Sequence, residues 1–80
     1  MAKRKSAPDI RERFGDAVRG RREELGLTQE EFAERAHIHR TYLSDIERGR
    51  RNVSLINIEH IALALDLPLS ELFASVDRSS

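Results

Sequence analysis

Apolar residues recur at three- and four-residue spacing along most of the chain, separated by short polar breaks. The first such run predicts a helix from about Asp9 to Leu25, with Phe14, Ala17, Val18, Arg21 or Arg22, and Leu25 along one side. Gly26 supplies a stop with positive φ. TQEEFAERA starts the second run. Thr28 and Glu31 have the spacing of a capping box, a cap worth ~1 kcal/mol, and Phe32, Ala33 and Ala36 turn inward before the helix ends near Ala36. His37-Ile38-His39 separates this segment from a third helix, about Arg40 to Arg48, which Gly49 ends. Leu43 and Ile46 face inward there, while Arg40, Thr41, Ser44, Asp45 and Arg48 share the opposite side. Ser54 caps a fourth helix, about Leu55 to Leu65, with Leu55, Ile58, Ile61, Ala62 and Leu65 as a wide apolar stripe. After Asp66-Leu67-Pro68, Ser70 caps a short last helix, SELFASV, carrying Leu72, Phe73 and Val76.

The basic, unpatterned MAKRKSA reads as a flexible arm leading to Pro8, a residue suited to a first helical turn. The expected organisation is an arm over residues 1–8 and one domain over residues 9–77. Charged residues make up 35% of the chain, with four glycines and two prolines, and valine, threonine and aromatics are too few for a sheet. The fold class is all-α, a compact five-helix domain. Eighty residues bury a modest core, so oligomerisation is expected to add stability. There is no cysteine, which excludes disulfides and thiolate metal sites. No apolar run approaches the ~18 residues of a membrane span, and the N-terminus lacks the apolar core of a secretory signal. A cytoplasmic protein with no membrane association is expected.

Charge changes the picture more than composition does. The formal net charge is zero, yet residues 1–9 carry +2, 10–22 carry +3, 23–39 carry −4, 40–51 carry +2 and 52–80 carry −3. Binding to nucleic acid is local to the phosphates neutralised, so a neutral total does not exclude it. The densest stretch is HIHRTYLSDIERGRRN, residues 37–52. It could be a metal site, a solvated charged helix or a nucleic-acid surface. Metal is disfavoured, because His37 and His39 would need further ligands and His60 belongs to another predicted helix. No metal or cofactor is expected. The solvated face loses ground because the arginines adjoin two short helices joined by a three-residue turn, the second with a polar outer face. That is a helix-turn-helix. The DNA major groove admits one helix, whose side chains meet base edges with a distinct donor and acceptor pattern. No nucleophile motif, glycine-rich phosphate loop or carboxylate pair points to an enzyme.

Residues 14–73 resemble the lambda-repressor and Cro family of five-helix DNA-binding domains. FGDAVRGRREELGLTQEEFAERA carries the likeness through Arg22, Leu25, Gly26, Thr28, Gln29, Phe32 and Ala33. YLSDIERGRRN carries it through Ile46, Glu47 and Gly49, and DLPLSELF through the approach to the last helix. HRTYLSDIERGRRNVSLINIE is similar, more narrowly, to the controller proteins of restriction–modification systems, small homodimeric transcription regulators. One departure is His37, where the family usually has Gly or Asn; if φ is positive there, the backbone is strained by ~1 kcal/mol.

The resemblance implies residue roles. Arg40 and Thr41 fall where the family reads bases, with Ser44 and Asp45 a turn further. Arg40 can donate two bonds to guanine O6 and N7, and Thr41 can offer its hydroxyl or methyl. Asp45 either accepts from cytosine N4 or orients Arg48 or Arg40; orientation is preferred because an unpaired acid would be repelled by phosphates. Thr28 and Gln29 at the second helix, and Arg48, Arg50, Arg51 and Asn52 in the following loop, fall on the DNA backbone side. His39, at an unusual N-cap, either meets phosphate or is a solvent-facing turn residue, and for Tyr42 a phosphate contact competes with packing against a neighbouring helix. Arg22 and Glu47 form a partly buried salt bridge. The arginines of the first helix are solvating or paired, or meet DNA, and Lys3-Arg4-Lys5 either tracks phosphate or hangs free. Leu69, Leu72, Phe73 and Val76 are too many for a small core to hide, so a homodimer seam includes some of them. The expected function is a homodimeric regulator that binds double-stranded DNA at a roughly palindromic operator and blocks or recruits RNA polymerase by position. The alternatives are an antitoxin whose last helix docks a toxin, and a protein-interaction module on the same fold.

Overall fold

The computed structural model describes residues 8–78, and the arm Lys3-Arg4-Lys5 lies outside them. Five helices follow one another: α1 (Ile10–Glu24), α2 (Gln29–Ala36), α3 (Arg40–Glu47), α4 (Leu55–Ala64) and α5 (Leu69–Arg78). Their starts are chemical. The Asp9 carboxylate accepts from the Arg11 amide at 2.8 Å, so Asp9 is the cap and Pro8 precedes it rather than opening the first turn. Thr28 and Glu31 close the capping box in both directions, at 3.0 and 2.9 Å. The Ser54 hydroxyl accepts from the Asn57 amide at 3.2 Å.

α5 departs from expectation. The Glu71 and Leu72 amides donate to the Pro68 carbonyl at 3.0 and 3.1 Å, so the helix begins at Leu69 and Ser70 lies inside its first turn instead of capping it. A proline cannot donate to a preceding turn, but its carbonyl accepts as well as any other.

The stops share one design. After each of the first four helices a residue takes the left-handed conformation: Gly26 (φ 73°), His37 (59°), Gly49 (74°) and Asp66 (61°). At each, that residue's amide reaches back three residues and the next amide reaches back five, as in Gly26 to Glu23 and Leu27 to Arg22. This is the Schellman arrangement, which satisfies carbonyls the helix end leaves open. Leu27, Ile38 and Leu67 follow three of the four stops and pack against the core. Arg50 follows the fourth and stays exposed.

The core gathers Phe14 and Val18 of α1, Phe32 of α2, Leu43 and Ile46 of α3, Ile61 of α4, Leu65, and Leu72 and Val76 of α5. α1 lies against both α3 and α5. Gly15 permits the first contact: a Cβ there would collide with the Ile46 carbonyl oxygen and sit 2.9 Å from that of Glu47. Leu55, expected in the inward stripe of α4, is 77% exposed, because it occupies the first position after the surface cap at Ser54.

Candidate nucleic-acid interface

α3 is held from behind and open in front. Leu43 and Ile46 are fully buried. Glu47, also buried, binds Arg22 of α1 bidentately, with Arg22 Nε to Oε2 at 2.7 Å and Nη2 to Oε1 at 3.0 Å. Gln29 Nε2 adds a third donor to the same carboxylate at 3.0 Å. Arg22 Nη1 meanwhile donates to the Leu27 carbonyl at 2.7 Å. One buried ion pair thus ties α1, the α1–α2 turn, α2 and α3 together. The hydrogen bond to Glu47 raises the Arg22 pKa above the usual arginine range, against burial, which lowers it. Stability from a raised pKa is present below the unfolded value and lost only as pH rises through the folded one. Loss from the arginine side is therefore confined to strong alkali.

The outward side carries the expected readers. Arg40 and Thr41 are exposed, and Ser44 and Asp45 are half-buried one turn on. Among the described residues Arg40 engages no protein partner. Asp45 binds Arg48 at 3.5 Å and Arg51 at 3.3 Å, so its partners are the loop arginines and not Arg40. Arg51 stacks over the Tyr42 ring, 5.1 Å from its centre. The Tyr42 hydroxyl accepts from Asn57 Nδ2 at 3.2 Å, which leaves its own proton free to donate. Nothing in the sequence pattern marked Asn57, one of three polar residues in α4 with Glu59 and His60.

His39 occupies the N-cap of α3 and makes no side-chain cap. Thr28 and Gln29 use one hydrogen-bonding group each on the cap and on Glu47, and each keeps a donor free. Arg48, Arg50, Arg51 and Asn52 are exposed on the α3–α4 loop. The exposed Arg50 stands where the other three helix stops place an anchoring apolar residue; at this turn the anchor is exchanged for charge. The α1 arginines are engaged otherwise: Arg11 with Asp9, Arg19 with Glu23, Arg21 with Glu24 and the Leu65 carbonyl, and Arg13 with the Pro8 and Val76 carbonyls. Among the described residues no group of three or more His, Asp or Glu side chains could hold a metal ion. No helix there is long and apolar enough to cross a membrane.

Two of the four residues expected to supply a dimer seam are taken up by the core. Leu72 is fully buried and Val76 is 1% exposed, so both serve the chain's own core and offer no surface to a second copy. Their helix lies directly against α1, and the small core accommodates them after all. Leu69 is 39% exposed and Phe73 half-buried, with its ring 6.0 Å from that of Phe14. Among the described residues, Ile10, Leu55, Ile56 and Leu63 are more exposed still.

Two short helices joined by a tight turn, the second pinned by its inner face and presenting a polar outer one, define a helix-turn-helix domain. The chain matches the helix-turn-helix family over residues 18–72 and belongs to it, as a domain of lambda-repressor and Cro type. It is 46% identical over 71 residues to control protein C.MunI of a Mycoplasma species, covering 88% of this chain and 96% of that one. Among solved structures it is similar to the restriction–modification controller protein C.AhdI from Aeromonas hydrophila. That match has 44% identity and a TM-score of 0.76, and covers 79% of this chain and 96% of the other. It is also similar to the C.Esp1396I controller tetramer in complex with its natural 35-base-pair operator. Here identity is 27% and the TM-score 0.83, with 91% of this chain and 96% of that one covered.

Proposed function

We propose that this protein is a homodimeric, sequence-specific transcriptional regulator of the restriction–modification controller type, which inserts α3 into the DNA major groove. The observation that carries the reading is the division of α3 into an inner face locked by Leu43, Ile46 and Glu47 and an outer face of Arg40, Thr41, Ser44 and Asp45. A base-reading helix must be rigid relative to its scaffold, and the three-donor tie on Glu47 supplies that rigidity. The controller relatives favour this reading over an antitoxin with a docked toxin.

Arg40 and Thr41 select bases. Arg48, Arg50, Arg51 and Asn52, the free donors of Thr28 and Gln29, the Tyr42 hydroxyl and His39 serve the phosphates. Two-fold symmetry sets two recognition helices about 34 Å apart on roughly palindromic half-sites. The bound dimer blocks or recruits RNA polymerase according to where its operator lies. For the seam, Phe73 and Leu69 are joined by the exposed Leu55 and Ile56, which supply apolar surface outside the core.

Selecting bound sequences from a random duplex pool tests the reading, followed by titration of the selected duplex with variants. Arg40→Ala is expected to lose about 1–3 kcal/mol of discrimination at one base position per half-site. Arg51→Ala weakens all sequences alike and flattens the salt slope by about one. Absence of duplex binding by the parent protein at low salt would sink the proposal.

A further inference from the structure

Five side chains on the DNA side of the molecule hold one another. Asn57 Nδ2 donates to Tyr42 Oη at 3.2 Å, the Arg51 guanidinium lies over the Tyr42 ring, and Asp45 receives Arg51 on one oxygen and Arg48 on the other. The acid is more deeply set than the two arginines it binds: the Asp45 side chain is 22% exposed, against 56% for Arg48 and 49% for Arg51. We propose that Asp45 is a specificity-determining residue, a charge latch that holds Arg48 and Arg51 in one geometry and so depresses binding to arbitrary duplex more than binding to the operator. The inference rests on the DNA-binding reading above and deepens it.

The argument begins with charge. Arg48, Arg51 and Asp45 together present one net positive charge where two arginines alone would present two. Affinity for arbitrary sequence comes almost wholly from phosphate neutralisation, so this subtraction falls on it in full. A complex that slides along DNA also needs no fixed arginine geometry; mobile guanidiniums reaching any nearby phosphate would serve it better. The operator complex differs in both respects. Its register is set by base contacts from Arg40 and Thr41, so the phosphates stand in fixed places. Arginines already held by Asp45 and by the Tyr42 ring then lose less freedom on docking. Asn57 supports the same geometry from α4. By donating to Tyr42 Oη it fixes the ring under Arg51 and leaves the phenolic proton for phosphate oxygens, which only accept. Asp45 takes no part in the core or in the Arg22–Glu47 tie, so its replacement leaves the scaffold intact.

The test uses the full-length protein, the selected operator duplex and a random-sequence duplex of equal length, titrated across a range of salt. Asp45→Asn and Asp45→Ser are expected to raise random-duplex affinity several-fold and to steepen its salt slope by about one per subunit. Operator affinity rises less, so the operator-to-random ratio falls several-fold, and Asp45→Glu, which keeps the charge, moves the ratio back towards the parent value. Unchanged random-duplex affinity and slope in both neutral variants would overturn the latch. So would a changed preference confined to one base position per half-site, which would make Asp45 a base reader. Failure of the parent protein to prefer any duplex is a separate result, and it removes the DNA-binding reading itself.

Discussion

Glu47 shows how much one side chain can carry. Its carboxylate takes two bonds from Arg22 and one from Gln29 in a nearly closed setting, so removing it strands a buried guanidinium. Glu47→Ala is expected to cost ~3–5 kcal/mol, the range for breaking a well-buried pair from one side, read as a lower midpoint in chemical denaturation. An unchanged midpoint would show that the tie contributes nothing to stability. His37 makes the opposite case. It holds φ 59° with a full side chain, where glycine would sit without strain. His37→Gly is expected to stabilise the fold by up to ~1 kcal/mol, since relief of left-handed strain outweighs the entropy glycine adds to the unfolded chain. A lower melting temperature would mean that the imidazole makes a stabilising contact.

Elements meet where their backbones allow it. Both Gly15 and Gly20 lie inside α1, where propensity alone favours alanine by about 0.8–1.0 kcal/mol at either position. Their surroundings separate them. A Cβ on Gly15 collides with the Ile46 carbonyl, whereas one on Gly20 meets nothing within 4 Å. Gly20→Ala is therefore expected to stabilise the domain by roughly 0.5–1 kcal/mol, while Gly15→Ala pushes α3 off α1 and destabilises it by about 1–3 kcal/mol. Paired thermal melts check both, and equal shifts of one sign would refute the close-approach argument. The α1–α3 contact also positions the reading face, so Gly15→Ala should weaken operator binding beyond its effect on stability.

At the scale of the whole molecule, the question is what the exposed apolar surface is for. α4 carries apolar residues on its outer side too, and Leu55 and Ile56 stand 77% and 69% exposed at its start. A second copy covering them would give the small domain the added burial its size calls for. Ile56→Glu is expected to convert dimer to monomer at micromolar concentration with little change in helical content. Sedimentation equilibrium with circular dichroism measures both, and an undisturbed dimer would move the seam elsewhere. Loss of the dimer should weaken operator binding far more than binding to a single half-site, because the second subunit then arrives as an independent molecule.

The sequence alone determined what depends on neighbours along the chain. The capping box at Thr28, the stops at Gly26 and Gly49, the three-residue turn and the polar outer side of α3 were all legible. Helix starts, stops and faces are set by residues within about four positions of one another. Even the Arg22–Glu47 pair was legible, though through family likeness and not through spacing. Tertiary structure decided what depends on which distant surfaces meet. The inward stripe of α4 was misread at Leu55 because periodicity marks a side of a helix without saying where cover by other helices ends. Leu72 and Val76 looked spare until α5 was seen lying against α1. Gly15 resembled any helical glycine until the Ile46 carbonyl arrived beside it. Asp45 had several arginines within reach along the chain, and only the folded loop assigned it to Arg48 and Arg51.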